Sequence, residues 1–276
     1  MEDIRLYHYT TIESFANILK TRMFWASHIG YLNDTSEQSL IPERIRKRIK
    51  AQLQEPECAN RETLERVYKS ISSPISKDIF VVSFSKDNGD RLSQWRGYSG
   101  SAGVSIGFDP SELKKLCNTF TTVNYKHPMD GIGAILREIK YIKAMGDEHS
   151  DREIDSLIDF HIAVAEMEIP LTQSNIFDRE LSFVPCDIKD AAFGEERESR
   201  IVIFDFSKDS NLLFRTRKSL LVPYREFSLG KQMWPLISKV TIGPSPYKKE
   251  TTKAVKRMIG DDNIEVVESL IPYRDW

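Results

Sequence analysis

The stretch from Phe193 to Phe206, FGEERESRIVIFDF, begins with charged residues and ends with apolar ones. The run from Ile201 onward is rich in β-branched and aromatic residues, which is typical of a largely buried strand. Alternate residues of an extended chain share a face. We therefore expect Glu196, Glu198 and Arg200 to point the same way where this strand leaves the core. Two carboxylates and a guanidinium there suit proton transfer or the stabilisation of a developing cation.

The same segment has a simpler interpretation as a solvated strand end that carries an ordinary surface salt bridge. For the stretch by itself this interpretation is favoured, because charge clusters are common on protein surfaces. The choice between the two depends on the rest of the chain.

The composition predicts a cytoplasmic globular protein. Of 276 residues, 40% are hydrophobic and 29% charged, and the net charge of -2 gives no global basic field of the kind that indicates nucleic-acid binding. Cys58, Cys117 and Cys186 match no zinc or disulfide spacing, so we expect no metal site. No signal sequence and no apolar run long enough to cross a bilayer is present, so no membrane association is predicted.

Short strands interrupted by helices predict an α+β fold. A first strand at Ile4–Tyr9 precedes a helix capped by Thr10 or Thr11. Helical patterns dominate residues 37–73 and 129–168, the latter in two segments. We interpret the chain as a single domain over residues 1–276 with helical additions at about 37–73 and 129–168. Further strands are predicted at Asp78–Ser85, Gly103–Phe108, Phe120–Tyr125, Leu212–Arg217, Leu220–Phe227, Lys239–Ile242 and Ile264–Val267, and a helix at Lys248–Met258.

The first helical addition contains the basic run Arg44, Arg46, Lys47, Arg48 and Lys50. A solvated helix face is the favoured interpretation, and a surface that faces phosphates or a partner is the alternative.

The motifs of several enzyme classes are missing from the sequence. It contains no nucleophile elbow, P-loop, HExxH or dinucleotide fingerprint. The remaining candidates are His8 at the end of the first strand, the segment from Ser83 to Gly103, and the two glutamates. Strand ends and loops often converge on one cleft although they are far apart in sequence.

Three segments resemble the bacterial DUF2971 family in the same order and over most of the chain. They are LYHYTTIESFANILKTRMFWAS (6–27) with Asn33-Asp34 and Glu37, then SFS (83–85) with QWRGYSGSAGVSIGF (94–108), and FGEERESRIVI (193–203). This family resembles the ADP-ribosyltransferase superfamily, and its start is similar to that of the DarT-type DNA-modifying toxins. The resemblance implies a split, strongly bent β-core, NAD as substrate, and an ADP-ribosyltransferase activity.

The resemblance also implies roles for individual residues. His8 would bond the adenosine-side ribose of NAD, and Tyr98, or else Trp95, would pack against nicotinamide. Glu198 would stabilise the oxocarbenium-like transition state, while Glu196 would orient or deprotonate the acceptor. The middle-region arginine of DarT-type enzymes would be Arg96 or Arg91, with Arg96 the preferred candidate. The other expected NAD contacts are Tyr9, Thr10, Asn33, Ser83, Ser85 and Arg200.

The chemistry is consistent with these roles. Breaking the nicotinamide glycosidic bond develops positive charge on the ribose, which a fixed carboxylate stabilises strongly in a dry cleft. A second carboxylate near the acceptor can remove its proton.

We therefore expect a toxin or anti-phage effector that transfers ADP-ribose to a nucleic acid or protein, with an antitoxin or regulator as a possible partner. The alternatives are an NAD glycohydrolase and a non-catalytic module that binds a nucleotide or a partner.

Overall fold

The structure is a computed structural model that describes residues 5–32, 40–58, 60–72, 79–100, 102–127, 130–143, 148–168, 184–205, 212–217, 219–230, 233–261 and 263–273. Its strands are β1 Leu6–Thr11, β2 Met23–His28, β3 Ile79–Ser85, β4 Gly103–Phe108, β5 Tyr125–His127, β6 Asp130–Glu138, β7 Lys140–Ile142, β8 Ile188–Asp190, β9 Glu198–Asp205, β10 Leu213–Arg217, β11 Leu220–Ser228, β12 Ile237–Ile242 and β13 Glu265–Glu268.

The main helices are α1 Ile12–Thr21, α2 Leu40–Gln54, α3 Arg61–Ser72, α4 Pro110–Asn124, α5 Glu148–Glu168 and α6 Lys248–Ile259. Shorter turns include a π-helical turn at Trp95–Ser99 and a 3-10 turn at Ala191–Glu196. Thr11 caps α1 by accepting a hydrogen bond from the backbone N–H of Ser14 at 3.1 Å. The predicted α+β fold is confirmed. None of the helices in the described ranges combines the length and apolarity needed to span a bilayer.

The main sheet splits at β3. One edge of β3 pairs with β9 over its whole length, from Ile79 to Ser85. The other edge is shared, because β2 pairs with it through Phe80 and Val81 while β1 pairs with it at Ser85. The sheet therefore divides into one arm with the order β2-β11-β10 and another with the order β1-β4-β12-β13. Between the two arms the backbone carbonyl of Ser83 has no strand partner on that edge and must find another donor.

Two of the hydrophobic clusters show how the helices pack on the strands. The larger one joins α1, α4 and α6 to the sheet and includes Phe15, Phe24, Ile106, Ile201 and Ile203. The second cluster, which we call the helical-addition cluster, joins α2, α3 and α5 to the small pair of β7 and β8. Its buried members are Ile45, Ile49, Leu64, Val67, Ile142, Ile154, Ile158, Ile162 and Ile188. The helical additions therefore pack against the strand that leads toward the start of β9.

Two secondary-structure predictions were wrong. The helical addition predicted over residues 129–168 is helical only in α5, because Asp130–Glu138 forms β6 and pairs antiparallel with β9 from Ile132 to Glu138. The apolar run in this segment satisfies both a helical and an extended pattern, and pairing with the central strand decides between them. Phe120–Tyr125, predicted as a strand, lies mostly in α4, where the hydroxyl of Thr121 bonds the carbonyl of Cys117 one turn back at 2.9 Å.

The basic run of α2 is not a fully solvated face. Arg44 bonds Asp151 at 2.8 Å, and Arg48 bonds both carboxylate oxygens of Asp155. Both acids lie on α5, so these arginines fasten one addition to the other. The interpretation as a solvated face was wrong for these two residues, because α5 supplies counter-charges that the local sequence does not reveal.

Candidate functional site

A cleft crosses the sheet at the split. It consists of a cavity of about 350 Å³ beside Glu198 and Arg200, and a second cavity of about 370 Å³ beside His8 and Arg215. A smaller space of about 60 Å³ is lined by His8 together with Glu198, and Ser83 lines all three cavities. His8 and the glutamates, which are far apart in sequence, therefore line neighbouring cavities that share Ser83 and Tyr98, and the three cavities together are called the cleft.

Strand β9 determines where Glu198 and Arg200 point. The two residues alternate along the strand and lie opposite Ser85 and Ser83 of β3. The prediction that Glu198 and Arg200 share a face is confirmed by their direct contact, whereas the extended conformation predicted for Glu196 was wrong. Glu196 precedes the strand at the end of the 3-10 turn. Arg197, which follows it, adopts a left-handed backbone conformation with φ of 44° and thereby redirects the chain into β9.

A four-charge cluster forms the floor of the first cavity, and its members are Lys189, Glu196, Glu198 and Arg200. The guanidinium of Arg200 donates to both carboxylate oxygens of Glu198, from Nε at 2.7 Å and from Nη2 at 2.8 Å. The ammonium of Lys189 donates to Glu198 at 3.0 Å and to Glu196 at 2.6 Å. The side chain of Glu198 is only 5% exposed and that of Arg200 only 1%. The simpler interpretation as a surface salt bridge was therefore wrong.

This cluster holds Glu198 ionised. Burial by itself raises the pKa of the Glu198 carboxyl, but the charge and hydrogen bonds of Arg200 oppose it, helped by Lys189 and by a hydrogen bond from Ser83. The net result is a pKa of about 2. Burial lowers the pKa of Lys189, but Glu198 and Glu196 outweigh that effect and leave its pKa raised. A carboxylate and an ammonium therefore coexist here at neutral pH.

Of the two aromatic candidates, Tyr98 lies in the cleft wall. Its hydroxyl donates to Oε1 of Glu196 at 2.9 Å, and burial together with the charge of Glu196 raises its pKa, so the phenol stays protonated. Trp95 is 1% exposed and lines none of the three cavities. Its ring packs edge-on against Tyr9 and its indole N–H donates to Asp90 at 2.8 Å. Trp95 therefore fills the interior behind the π-helical turn.

His8 occupies the gap where the sheet splits. Its Nδ1 lies 2.9 Å from the carbonyl oxygen of Ser83, which can only accept, so Nδ1 carries the proton. The imidazole packs against Phe24 and Phe84. Burial lowers the pKa of His8, opposed by the Ser83 hydrogen bond. The ring is therefore neutral at pH 7, and its Nε2 is a hydrogen-bond acceptor.

The other predicted residues are divided between the cleft and its surroundings. Tyr9 and Thr10 line the second cavity, although the Tyr9 hydroxyl is engaged with Asp87. Ser85 lines the small space and donates to the carbonyl of Glu196 at 2.6 Å.

Neither candidate arginine lines the cleft. The guanidinium of Arg96 lies 4.9 Å from the centre of the Tyr273 ring, and Arg91 donates to the carbonyl of Glu195 at 2.6 Å. Asn33 and Phe206 fall outside the described residues.

Sequence reasoning missed three basic residues of the cleft, namely Lys189, Arg215 and Arg217. Lys189 gives almost no sequence signal, because it stands in a three-residue strand. Arg215 and Arg217 had a usable signal, since they alternate in a strand that was predicted at Leu212–Arg217 and confirmed as β10. Among the described residues no group of three His, Cys, Asp or Glu is arranged to hold a metal ion.

Comparison with known protein families gives a match over the middle of the chain. Residues 94–201 match the family described as "Protein of unknown function (DUF2971)". The resemblance to this family is confirmed for those residues, which include Tyr98, Lys189 and the two glutamates. The opening segment that contains His8 lies outside the match, as does β10.

Among solved structures, the chain is similar to Thermus sp. 2.9 DarT in complex with ADP-ribosylated ssDNA. The identity is 12% and the TM-score 0.33, with 97% of this chain and 95% of that chain covered. No curated protein matches the chain. A likeness this distant carries no argument about activity, so a functional proposal has to depend on the chemistry of the cleft.

Proposed function

We propose that this protein is an NAD-dependent ADP-ribosyltransferase. The observation that carries the proposal is an ionised carboxylate, Glu198, held on the floor of a cleft that continues to a neutral histidine, His8. Such a cleft suits a substrate with two sugars, one at each end, in which one glycosidic bond is broken. The resemblance described from the sequence adds support, because it implies the same two residues.

The proposed reaction breaks the bond between the ribose C1 atom and the nicotinamide nitrogen. The bonding electrons leave with nicotinamide, and the positive charge that develops on the ribose is stabilised by Glu198. Lys189 and Arg200 keep that carboxylate in one position, so little reorganisation is needed during the reaction. An acceptor hydroxyl or amine then bonds to C1, and its proton passes to Glu196.

His8 and Tyr98 would orient the substrate. Nε2 of His8 would accept a hydrogen bond from a hydroxyl of the adenosine-side ribose, which requires the neutral ring. The ring of Tyr98 would pack against nicotinamide while its hydroxyl holds Glu196. We propose a macromolecular acceptor, either a nucleic acid or a protein, and a role as a toxin or anti-phage effector under an antitoxin or regulator. This part depends on the sequence resemblance alone.

Adenylate-labelled NAD incubated with the protein and a cell lysate tests the proposal. We expect label to appear on a macromolecule with the wild type. Glu198→Gln should reduce the rate about 100- to 1000-fold, as the loss of one fixed electrostatic contact does in other enzymes. Glu65→Gln is the matched control, because Glu65 is an exposed carboxylate on α3 that lines none of the cleft cavities.

Folding has to be measured alongside activity, since Glu198→Gln disturbs a buried ion pair. Rates are therefore compared per folded molecule, determined by circular dichroism. If folded Glu198→Gln transfers label at the wild-type rate, the proposed role of Glu198 is wrong. If NAD is neither bound nor consumed at high protein concentration, the transferase proposal is wrong, and so is the alternative of an NAD glycohydrolase. Label found only in free ADP-ribose would favour that glycohydrolase.

One observation favours a non-catalytic binding module as a second candidate. Both oxygens of Glu198 already accept hydrogen bonds from Arg200, and one also accepts from Lys189. Such a carboxylate could serve only to hold the cleft open for a ligand. A binding module would retain nucleotide affinity in Glu198→Gln and would show no turnover in the wild type.

A further inference from the structure

Two arginines on strand β10 face the cleft from outside the region that the sequence comparison matches. Arg215 and Arg217 are separated by one residue, so they lie on the same face of the strand. Their partners in β11 are Val222 and Leu220, which carry no charge. Both arginines line the cavity beside His8.

Arg215 is held in place but not neutralised. Its Nη2 donates to the hydroxyl of Ser27 on β2 at 2.6 Å, while its Nε is buried and has no hydrogen-bond partner in the described ranges. Burial and the nearby charge of Arg217 both lower the pKa of Arg215. An unpartnered donor on a buried cation is costly, so Arg215 keeps unused hydrogen-bonding capacity beside the cavity that it lines.

No carboxylate compensates the pair within the part of the chain that the structure describes. The groups that act on the charge of Arg215 are Arg217 and Tyr224, and neither is an acid of the Asp or Glu type. The side chain of Arg217 likewise has no ion-pair or hydrogen-bond partner among those residues. Two adjacent guanidinium groups of this kind favour a ligand with two neighbouring negative charges.

Arg217 lies where the two larger cavities meet. It lines both the cavity beside His8 and the cavity beside Glu198, together with Leu32, Ser83 and Tyr98. Arg215 lines only the cavity beside His8. The positive charge is therefore placed in the middle of the cleft, between the residues proposed to hold the two sugars.

We propose that Arg215 and Arg217 bind the diphosphate of a nucleotide whose nucleoside lies beside His8 and Thr10. This inference rests on the proposed function for the identity of the natural ligand, NAD, in which a diphosphate links the two sugars. Arg217, at the junction, contacts the phosphate nearer to Glu198, and Arg215 contacts the phosphate nearer to His8. The pair fixes the direction in which the substrate lies and delivers its second sugar to Glu198.

Arginines on an edge strand often serve only to prevent sheets from pairing with one another. That role requires side chains that reach into solvent along the strand edge. The bond of Arg215 to Ser27 and its buried Nε are inconsistent with it. The hydrogen bond to Ser27 instead fixes Arg215 beside the cavity that it lines, as a ligand-binding role requires.

Binding of ADP and of adenosine to the full chain, measured by isothermal titration calorimetry, tests the inference without any turnover. We expect the wild type to bind ADP at least about tenfold more tightly than adenosine, because charge-assisted hydrogen bonds form only with the diphosphate. Arg217→Met should weaken ADP binding about 10- to 100-fold and leave adenosine binding unchanged. Arg217→Lys should recover part of the lost ADP affinity, since lysine keeps the positive charge but not the paired N–H donors of the guanidinium group.

The matched control is Arg257→Met, which removes an exposed arginine from the last turn of α6, outside the cleft. Equal affinities of the wild type for ADP and adenosine would overturn the inference, as would no binding of either. Unchanged ADP affinity in Arg217→Met would also overturn it. If ADP binds through the arginines but NAD is never consumed, the proposed function fails while the diphosphate site stands. If Arg217→Met consumes NAD with an unchanged KM, the diphosphate site is wrong while the proposed function stands.

Discussion

At the scale of single residues, the cleft depends on a buried carboxylate whose charge is compensated twice. Glu198 bonds Arg200 through both oxygens and Lys189 through one. Such a cluster is stable only when complete, since removing one member leaves another buried and uncompensated. The same completeness that keeps Glu198 ionised also makes it a structural residue.

We predict that Glu198→Gln lowers the free energy of unfolding by about 3–5 kcal/mol, because Arg200 loses its counter-charge inside the protein. Urea unfolding followed by circular dichroism measures this change. Glu65→Gln should change the free energy by less than about 0.5 kcal/mol. A loss for Glu198→Gln as small as that of Glu65→Gln would show that the cluster relaxes into water.

We also predict a specific acid sensitivity. The pKa of Glu198 is about 2 in the folded protein against an ordinary value of 4.5, so its ionisation stabilises the fold fully above pH 4.5. That contribution is lost as the pH falls from 4.5 toward 2, because the unfolded chain takes up the proton first. As the pH is lowered from about 6 to about 3, the free energy of unfolding should therefore fall more steeply for the wild type than for Glu198→Gln. Parallel profiles would contradict the assignment.

At the scale of elements, the π-helical turn that presents Tyr98 is fastened to the C-terminal segment 269–273. Asp90, just before that turn, accepts hydrogen bonds from the indole of Trp95, from the hydroxyl of Ser269 at 2.6 Å and from the backbone N–H of Leu270 at 2.9 Å. One carboxylate thus joins the cleft wall to a segment that is distant in sequence, since Asp90 and Ser269 are 179 residues apart. Local sequence gives no sign of this connection.

We predict that Asp90→Asn loosens both segments that this carboxylate joins. An amide offers one acceptor oxygen in place of two, so it cannot satisfy all three donors. Hydrogen exchange of residues 92–99 and 269–273 should become faster together, by about tenfold for each 1.4 kcal/mol lost. Asp159→Asn, an exposed change on α5, is the control. Faster exchange in only one of the segments would contradict the connection.

The helical additions meet through Arg48 on α2 and Asp155 on α5, whose side chains are 36% and 20% exposed. We predict a coupling energy of about 0.5–1 kcal/mol for this pair in a double-mutant cycle with alanine, because water screens a partly exposed pair. The exposed pair of Lys115 and Glu112 in α4 should give no more than about 0.5 kcal/mol. Equal coupling in the two cycles would show that the α2–α5 contact is incidental.

At the scale of the whole molecule, the single-domain prediction can be tested by unfolding. The helical-addition cluster contains no tryptophan, whereas Trp25, Trp95 and Trp234 lie on or beside the main sheet. We predict that tryptophan fluorescence and helical circular dichroism lose their signals at the same urea concentration, as one cooperative unit requires. Ile45→Ala and Ile106→Ala, both fully buried, should each lower both midpoints. Separate midpoints in the wild type would make the additions a second domain.

Sequence patterns predicted the strands and helices with strong local signals well. Gly103–Phe108 and Lys248–Ile259 agree with expectation almost to the residue, because glycine, proline and apolar alternation mark their limits. The strand β6 was missed because its partner, β9, lies about 70 residues away, and pairing with Ser199 to Asp205 overrides local preference. In the cleft, Glu198, Tyr98 and His8 carried readable motifs, whereas Lys189 is recognised only from its position in space.

The split in the sheet has a consequence for protein synthesis. Ser83, His8, Glu198 and Arg217 come from four strands, and β9 has to insert beside β3, whose sequence ends more than 100 residues earlier. A chain growing from the ribosome at about 5–20 residues per second therefore has no complete cleft until Arg217 has emerged. A chain that terminates before β10 would therefore lack the two arginines that line the cavity beside His8.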